Sequence, residues 1–417
     1  MYLMSNVLGA LIPLALIPVL TRFLDPVGYG EVAMFQMLVV GLAAFTGLSV
    51  HGAASRKYYD VDLDEKEFGC FVGSCMQLLF VTTVGVWGIV FLTRSWLTAW
   101  IGLSEQWLMW AVFVSALGFI VNIRLGQWQV RKQAGKYGFL QISQGVLVLL
   151  TTLLFVVVLL RGAEGRIQSL IWSGVIVSAV SLYMLRRDGL LVLFSWRPRY
   201  IKELVLYGVP LVPHIIGTFL LFFVDRLVIK NQLGLAEAGI YMLAVQLSLV
   251  LGLVFDAVNK AYVPWLFERL KIKAPEELKR LVEVTYIYFV ILAAVAALSF
   301  FIAPFIVDLI AGSKYSSAGE IIGWLVLGQS FKGMYLIVSG YIYYSKRTGL
   351  LSLITISTGI LNVIFLVFGV SAFGLKGAAM AFSLAMALQF LATWAVAARL
   401  YSMPWLFFLE RARDENC

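Results

Sequence analysis

Charge is what this chain lacks most. Only 13% of its 417 residues are Asp, Glu, Lys or Arg, roughly half the share of a soluble domain. With 61% hydrophobic residues and a mean hydropathy of +0.91, it cannot bury its apolar surface in one water-soluble core. Histidine is almost missing, with only His51 and His214. The three cysteines, Cys70, Cys75 and Cys417, fit neither a disulfide framework nor a metal site. No phosphate-binding glycine loop, zinc motif or nucleophile elbow occurs. The chain is therefore not expected to be an enzyme, to hold a metal or cofactor, or to run on its own ATP hydrolysis. Polar segments are short, which excludes a soluble catalytic domain. The first apolar segment lacks a basic start and runs into a Pro–Gly turn, so no cleavable leader is expected.

What is present is a row of apolar stretches, each near the ~20 residues a helix needs to cross a bilayer. They predict helices over Leu3–Phe23, Val32–Gly52, Phe68–Leu92, Trp107–Val130, Gly138–Leu160 and Ile167–Leu185. A second six follows over Leu204–Val224, Ala238–Val258, Leu281–Ala303, Ile321–Tyr344, Leu350–Gly369 and Gly377–Leu400. The predicted fold is all-α and polytopic, with about twelve transmembrane helices. Residues 1–185 form one six-helix bundle, 186–203 a cytoplasmic linker, 204–400 a pseudo-symmetric second bundle and 401–417 a cytoplasmic tail.

The halves share a motif. Leu24-Asp25-Pro26-Val27-Gly28-Tyr29-Gly30 and its apolar run return as Leu235-Ala236-Glu237-Ala238-Gly239-Ile240-Tyr241 and another run. Aligning Gly30 with Gly239 gives an offset of 209 residues, half the chain. Two similar membrane halves are most simply a transporter that rocks one against the other.

Lys and Arg set the expected orientation. With the N-terminus inside, inner segments carry 22 basic residues and outer segments 8, leaving Arg124 and Lys332 within spans. Both termini are then cytoplasmic. Topology thus accounts for the net charge of +9, and no nucleic-acid partner is expected. Lys260–Arg280, with Trp265, Leu266, Phe267 and Leu270 among charged residues, reads as an interfacial helix. Trp96, Trp100, Trp107, Trp110, Tyr341, Tyr343 and Tyr344 read as interfacial belts.

The segment Thr21-Arg22-Phe23-Leu24-Asp25-Pro26-Val27-Gly28-Tyr29-Gly30-Glu31 resembles the first-loop signature of polysaccharide biosynthesis membrane proteins. Gly239-Ile240-Tyr241 resembles its second-half counterpart. Tyr344-Ser345-Lys346-Arg347-Thr348-Gly349, then Asn362, then Phe373-Gly374-Leu375-Lys376-Gly377-Ala378-Ala379 resemble the C-terminal half. The family is that of the Wzx-type oligosaccharide flippases. It lies within the multidrug/oligosaccharidyl-lipid/polysaccharide exporter superfamily, which includes the lipid II flippases. Lipid II flippases usually carry fourteen helices, so twelve favours the Wzx branch.

The resemblance implies a carrier in the inner membrane. Its cargo would be undecaprenyl-pyrophosphate-linked oligosaccharide, turned to the outer leaflet for O-antigen, capsule or exopolysaccharide assembly. Membrane lipids surround it, and the polysaccharide polymerase and chain-length regulator are its implied partners. Coupling to a proton or sodium gradient is also implied. No mid-span Asp or Glu is evident to serve it, and movement down the cargo's own gradient stays open.

Such a cargo has a polar, anionic head, so charged residues inside spans are the first candidates for a wet, cationic cavity. Each costs ~2.5–3.5 kcal/mol at a helix centre on insertion scales. Lys332 lies near mid-membrane, too deep to snorkel readily. Arg124 is its approximate counterpart, seven residues from Arg131. The alternative for both is a structural contact between helices. His51 and Arg56 end the second span, and Asp256, Asn259 and Lys260 end the eighth. These groups either receive the pyrophosphate or anchor the inner interface. Asp225 and Arg226 form either an outer ion pair that breaks on opening or a solvated helix end. Pro13 and Pro18 in the first span, and Pro210 and Pro213 in the seventh, predict kinks that either gate the carrier or only pack it. His214 reads as a satisfied core histidine.

Two other activities compete. A drug extruder would need a membrane-buried acid, and a membrane polymerase a large outer loop.

Overall fold

The structure is a computed structural model, and it describes residues 12–60, 64–192, 195–272, 274–345 and 347–405. The expected start of the first span at Leu3, the motif residue Lys346 and most of the tail, with Cys417, lie outside the described residues. Among the described residues all regular structure is helical. The helices are α1 (Ile17–Phe23), α2 (Pro26–Ala43), α3 (His51–Lys57), α4 (Glu65–Leu92), α5 (Arg94–Ile101) and α6 (Glu105–Val130). Then come α7 (Ala134–Thr152), α8 (Gly162–Arg187), α9 (Pro198–Gly208), α10 (Val212–Phe222) and α11 (Asp225–Leu233). The last four are α12 (Leu235–Ile272), α13 (Pro275–Ala311), α14 (Ser317–Tyr344) and α15 (Thr348–Leu400).

Ten of the described helical stretches are long and apolar enough to cross a membrane, and Ile12–Phe23 is a shorter apolar helix. The chain is a multi-pass membrane protein. Its longest helix holds two spans. α15 is interrupted at Gly374 (φ 57°, ψ −139°), a conformation open to glycine. The backbones of Gly369 and Gly377 touch there, leaving no room for a side chain on Gly377. Leu351 and Ala397, from the two arms, share one core. The hairpin expected between Gly369 and Gly377 is therefore present.

Five spans differ from the periodicity reading, each for a local reason. The second stops at Ala43 rather than Gly52. Gly47, Leu48 and Ser49 follow in positive φ. The freed amide of Gly47 donates to Thr82 Oγ1 at 2.8 Å, and Thr46 Oγ1 pairs with Ser115 Oγ at 3.0 Å. Side-chain hydroxyls thus satisfy a break that hydrocarbon could not. α7 widens into a π-helix, Leu153–Val158, and α8 begins at Gly162 rather than Ile167. The seventh span is split by the 3-10 turn Val209–Leu211 at Pro210 and Pro213. α12 continues through Lys260 to Ile272, 38 residues. At 1.5 Å per residue that is about 57 Å, far more than a ~30 Å hydrocarbon core.

The separate interfacial helix expected over Lys260–Arg280 is therefore corrected. Leu266 and Leu270 are fully buried in a core with Tyr341 and Ile342, and Trp265 and Phe267 pack against it. The apolar stripe found a protein partner instead of lipid. Tyr341 and Trp107 are likewise buried, whereas Trp96, Trp100, Trp110 and Tyr343 are exposed as a belt requires.

Contacts group the chain into two compact units. The first holds the described residues to Leu243 with Ile310–Tyr315, and the second holds Ala244–Leu309 with the residues from Ser316 onward. In the first unit, α9 packs Tyr200 and Leu204 onto Phe71 and Phe68 of α4. In the second, α14 is the most enclosed helix. Gly319 meets Pro304, Gly323 meets Phe300, and Gly333 meets Leu292 and Phe255. Small residues let helices approach closely where hydrophobic driving force is absent.

Candidate functional site

The two copies of the repeated motif meet. A side chain on Gly30 would strike the carbonyl of Leu235, and one on Gly239 would strike that of Pro26. Pro26 and Leu235 differ by the same 209-residue offset as Gly30 and Gly239, so the contact is reciprocal. Asp25 explains the motif's acid: its Oδ1 accepts the Gly28 amide at 2.9 Å and caps α2.

A second feature of the first unit is the meeting of two broken spans. Leu48, in the left-handed turn after α2, presents its carbonyl to Gly208, the last residue of α9 before the 3-10 turn. Positive φ at Leu48 (49°) and Ser49 (53°) is unusual for non-glycine residues and marks stored strain. Beside this turn a cavity of about 420 Å³ opens between α3 and α9. Ala53, Arg56, Lys57, Asp60, Glu203, Leu206 and Tyr207 line it.

Lys57 is its electrostatic centre. The ammonium reaches Glu203 Oε1 at 3.0 Å, Glu203 Oε2 at 3.2 Å and Asp60 Oδ2 at 2.9 Å. It also lies 5.4 Å from the Phe71 ring centroid. Burial works against its charge, but the hydrogen bonds to Asp60 and Glu203 outweigh it and hold its pKa above the ordinary lysine value. Arg56 is exposed in the same cavity and has no ion-pair partner among the described residues. His51 does not line the cavity. It is half-buried with its ring edge-on to Phe119, 5.8 Å between centroids.

In the second unit, Lys332 lies in the middle of α14, about 18–22 Å from its ends at 1.5 Å per residue. It is half-buried. A methyl group on Gly252 of α12 would lie 3.9 Å from its Nζ and 2.9 Å from Gln329 Oε1. The Gln329 oxygen is buried with no hydrogen-bond partner among the described residues. Asp256 and Lys260 follow Gly252 along the same face of α12 at four-residue steps. Lys260 is exposed there.

Arg124 takes the structural-contact alternative of its sequence reading. It is 1% exposed, paired with Asp188 just past α8, and stacked on Trp128 at 4.0 Å. Its charge is taken up inside the protein rather than presented to an open lumen. Asp188→Asn is expected to lower stability by about 1–2 kcal/mol, since it strips a buried cation of a partly exposed partner. A thermal melt in detergent checks this, and export per inserted molecule should hold. Loss of export by Arg124→Gln at unchanged stability would restore a cargo contact.

Asp225 and Arg226 form the ion pair of their sequence reading and are not a solvated helix end. Both are buried, 2.8 Å apart, and the guanidinium also reaches the Phe222 carbonyl. The pair thus joins α11 to the end of α10, and the Asp225 carboxylate also interacts with Tyr241 of α12. Pro13 precedes the interruption at Leu16, and Pro18 occupies the first turn of α1. His214 is exposed rather than a core residue.

Sequence reasoning missed Arg166. Counted as an outer-loop residue, it is 5% exposed and donates to Thr152 Oγ1 at 2.6 Å and Ser169 Oγ at 3.3 Å. The hydroxyl pair Thr151-Thr152 inside an apolar run was the available signal. It missed Glu203 as well, whose partner lies 146 residues away.

The family model described as polysaccharide biosynthesis protein matches residues 1–271. The chain belongs to that family. It is 26% identical over 374 residues to the Lsg locus putative protein 1 of Haemophilus influenzae, covering 88% of this chain and 89% of that protein. A second membrane protein of H. influenzae is 26% identical over 351 residues, 83% of each. Among solved structures, the lipid II flippase MurJ in an inward closed conformation superposes with a TM-score of 0.74 at 14% identity, over 94% of this chain and 85% of that one. An inward-facing multidrug resistance MATE family transporter superposes with a TM-score of 0.68 at 18% identity, over 96% and 95%. At such identities the likeness establishes a shared fold. The family's membership and this fold agree with the resemblance drawn from the motifs at Thr21–Glu31 and Gly239–Tyr241.

Proposed function

We propose that this protein is a flippase that carries undecaprenyl-pyrophosphate-linked oligosaccharide from the cytoplasmic to the outer leaflet of the inner membrane by alternating access. The product feeds assembly of O-antigen, capsule or exopolysaccharide, with the polysaccharide polymerase and chain-length regulator downstream. The work is transport, not catalysis, and both termini face the cytoplasm. The observation that carries the reading is the ammonium of Lys332, half-buried in the middle of a membrane-spanning helix of a polysaccharide biosynthesis protein. A charge at that depth is costly. An anionic diphosphate or acidic sugar in a cavity repays it by Coulomb attraction, which strengthens away from bulk water. The shared fold with a lipid II flippase supports the same reading.

A drug extruder is the rival with a structural neighbour. It calls for a buried acid available to a cationic drug. Among the described residues the buried acid, Asp225, is instead paired with Arg226.

Deleting the gene while following lipid-linked oligosaccharide and surface polysaccharide tests the proposal. The expected result is loss of surface polymer with single repeat units trapped on the cytoplasmic leaflet. Units accumulating on the outer leaflet would indicate a polymerase, and no change in either pool would favour the extruder.

A further inference from the structure

We infer that the cavity between α3 and α9 is a loading site for a diphosphate group, in which Glu203 holds the place of the incoming anion on Lys57. This rests on the lipid-linked cargo proposed above. It adds where the head is first bound and what its binding releases.

The ion pair is unequally buried. Lys57 is 14% exposed, whereas Glu203 is 43% exposed and Asp60 50%. The cation is therefore built into the wall, backed by the Phe71 ring, and the carboxylates sit at the rim. Glu203 offers both oxygens to one ammonium, at 3.0 and 3.2 Å, much as one phosphate group of a diphosphate would. A carboxylate in water-accessible surroundings gains little from such a pair. A diphosphate brings more charge and more acceptor oxygens, and Arg56, with no ion-pair partner among the described residues, adds a planar donor fork beside it. The two cations are consecutive on the last turn of α3, where the helix dipole favours positive charge.

Displacement has a mechanical consequence within this unit. Glu203 lies on α9, so the Lys57–Glu203 pair ties α9 to α3. Both elements adjoin weak points in the backbone: the strained turn at Leu48-Ser49 before α3 and the 3-10 turn at Pro210 after α9. Binding a diphosphate to Lys57 and Arg56 removes the tie and leaves these two joints to move. The charge bias of the loops assigns this end of the helices to the cytoplasm, where the cargo is made.

The test uses the full chain purified in detergent, with inorganic pyrophosphate and farnesyl diphosphate as probes by calorimetry. Arg56→Gln is expected to weaken farnesyl diphosphate binding about tenfold. Glu203→Gln is expected to tighten it about threefold, because a competitor is gone. Tightening is the sign a merely structural Glu203 would not give. If Glu203→Gln does not fold by thermal melt, Asp60→Asn removes the other competing carboxylate and should also tighten binding. Unchanged affinity in Arg56→Gln, or no tightening in the carboxylate variant that folds, overturns the inference. A preference of tenfold or more for the prenyl probe assigns the site to a lipid headgroup, and equal affinity assigns it to soluble diphosphate. The outcomes separate from the cargo reading. Diphosphate bound as expected, with no units trapped on deletion, removes the cargo and keeps the site. Trapped units with indifferent variants do the reverse.

Discussion

Gly30→Val is expected to reduce export by roughly tenfold to a hundredfold while the protein still inserts and stays monodisperse. The cause is the crossing of α2 and α12, where Gly30 lies against the Leu235 carbonyl and Gly239 against that of Pro26. A branched side chain there has no rotamer that avoids the opposing backbone. Overpacking of this kind costs about 1–3 kcal/mol. On the alternating-access reading proposed above, in which this crossing parts and closes, the cost falls on the closed state alone. A bias of about 1.4 kcal/mol changes the ratio of two states tenfold. Gly239→Val should act alike because the contact is reciprocal. The double variant should be little worse than either single, since one lost crossing cannot be lost twice. Export of lipid-linked units into right-side-out vesicles, normalised to inserted protein, measures all three. Additive losses in the double variant would mean that the glycines serve separate contacts.

Lys332→Ala is expected to lower export by about tenfold to a hundredfold, the worth of a charge-assisted hydrogen bond in a low-dielectric setting. Membrane insertion should be unimpaired, because removing a mid-span charge makes insertion easier. Lys332→Arg keeps the charge but spreads it over a planar fork, so partial activity is expected. The residue's surroundings sharpen the expectation. Gly252 leaves room on α12 for the ammonium, and Gln329, one turn before Lys332, holds a buried oxygen nearby. Gly252→Leu should therefore mimic Lys332→Ala in part, by filling the space the ammonium uses. Normal transport by Lys332→Ala would sink the central assignment.

Much of the architecture was legible in the order of residues. The Gly369-to-Gly377 hairpin fell where the apolar runs parted. The Asp25-Pro26 motif read as a loop before a span at Val32, whereas α2 already starts at Pro26; its second copy near Gly239 gave the repeat. The misread boundaries have one common cause. Hydropathy averages over a window, so it passes smoothly across residues 44–50, where Thr82 of another helix accepts a freed backbone amide and Ser115 pairs with the Thr46 hydroxyl. It likewise placed Arg166 in a loop, although hydroxyls of Thr152 and Ser169 let the guanidinium lie inside.

The candidate site was legible by residue type and not by pairing. Arg56 was named from its place at a span end, and the structure sets it in a cavity. Arg124 carried the same sequence argument as Lys332, yet Asp188 engages it and nothing comparable was predicted. Lys57 and Glu203 drew no notice because each reads alone as an ordinary loop charge.

By itself the sequence determined that this is an all-helical, multi-pass membrane protein with an internal repeat, belonging to a polysaccharide biosynthesis family. Those properties follow from hydropathy, spacing and motifs, which are local along the chain. Only the tertiary structure decided which charges are engaged and where helices break. Both depend on partners far apart in sequence, such as Lys57 with Glu203 and Gly30 with Gly239, and on whether a neighbouring helix can satisfy what a low-dielectric interior leaves exposed.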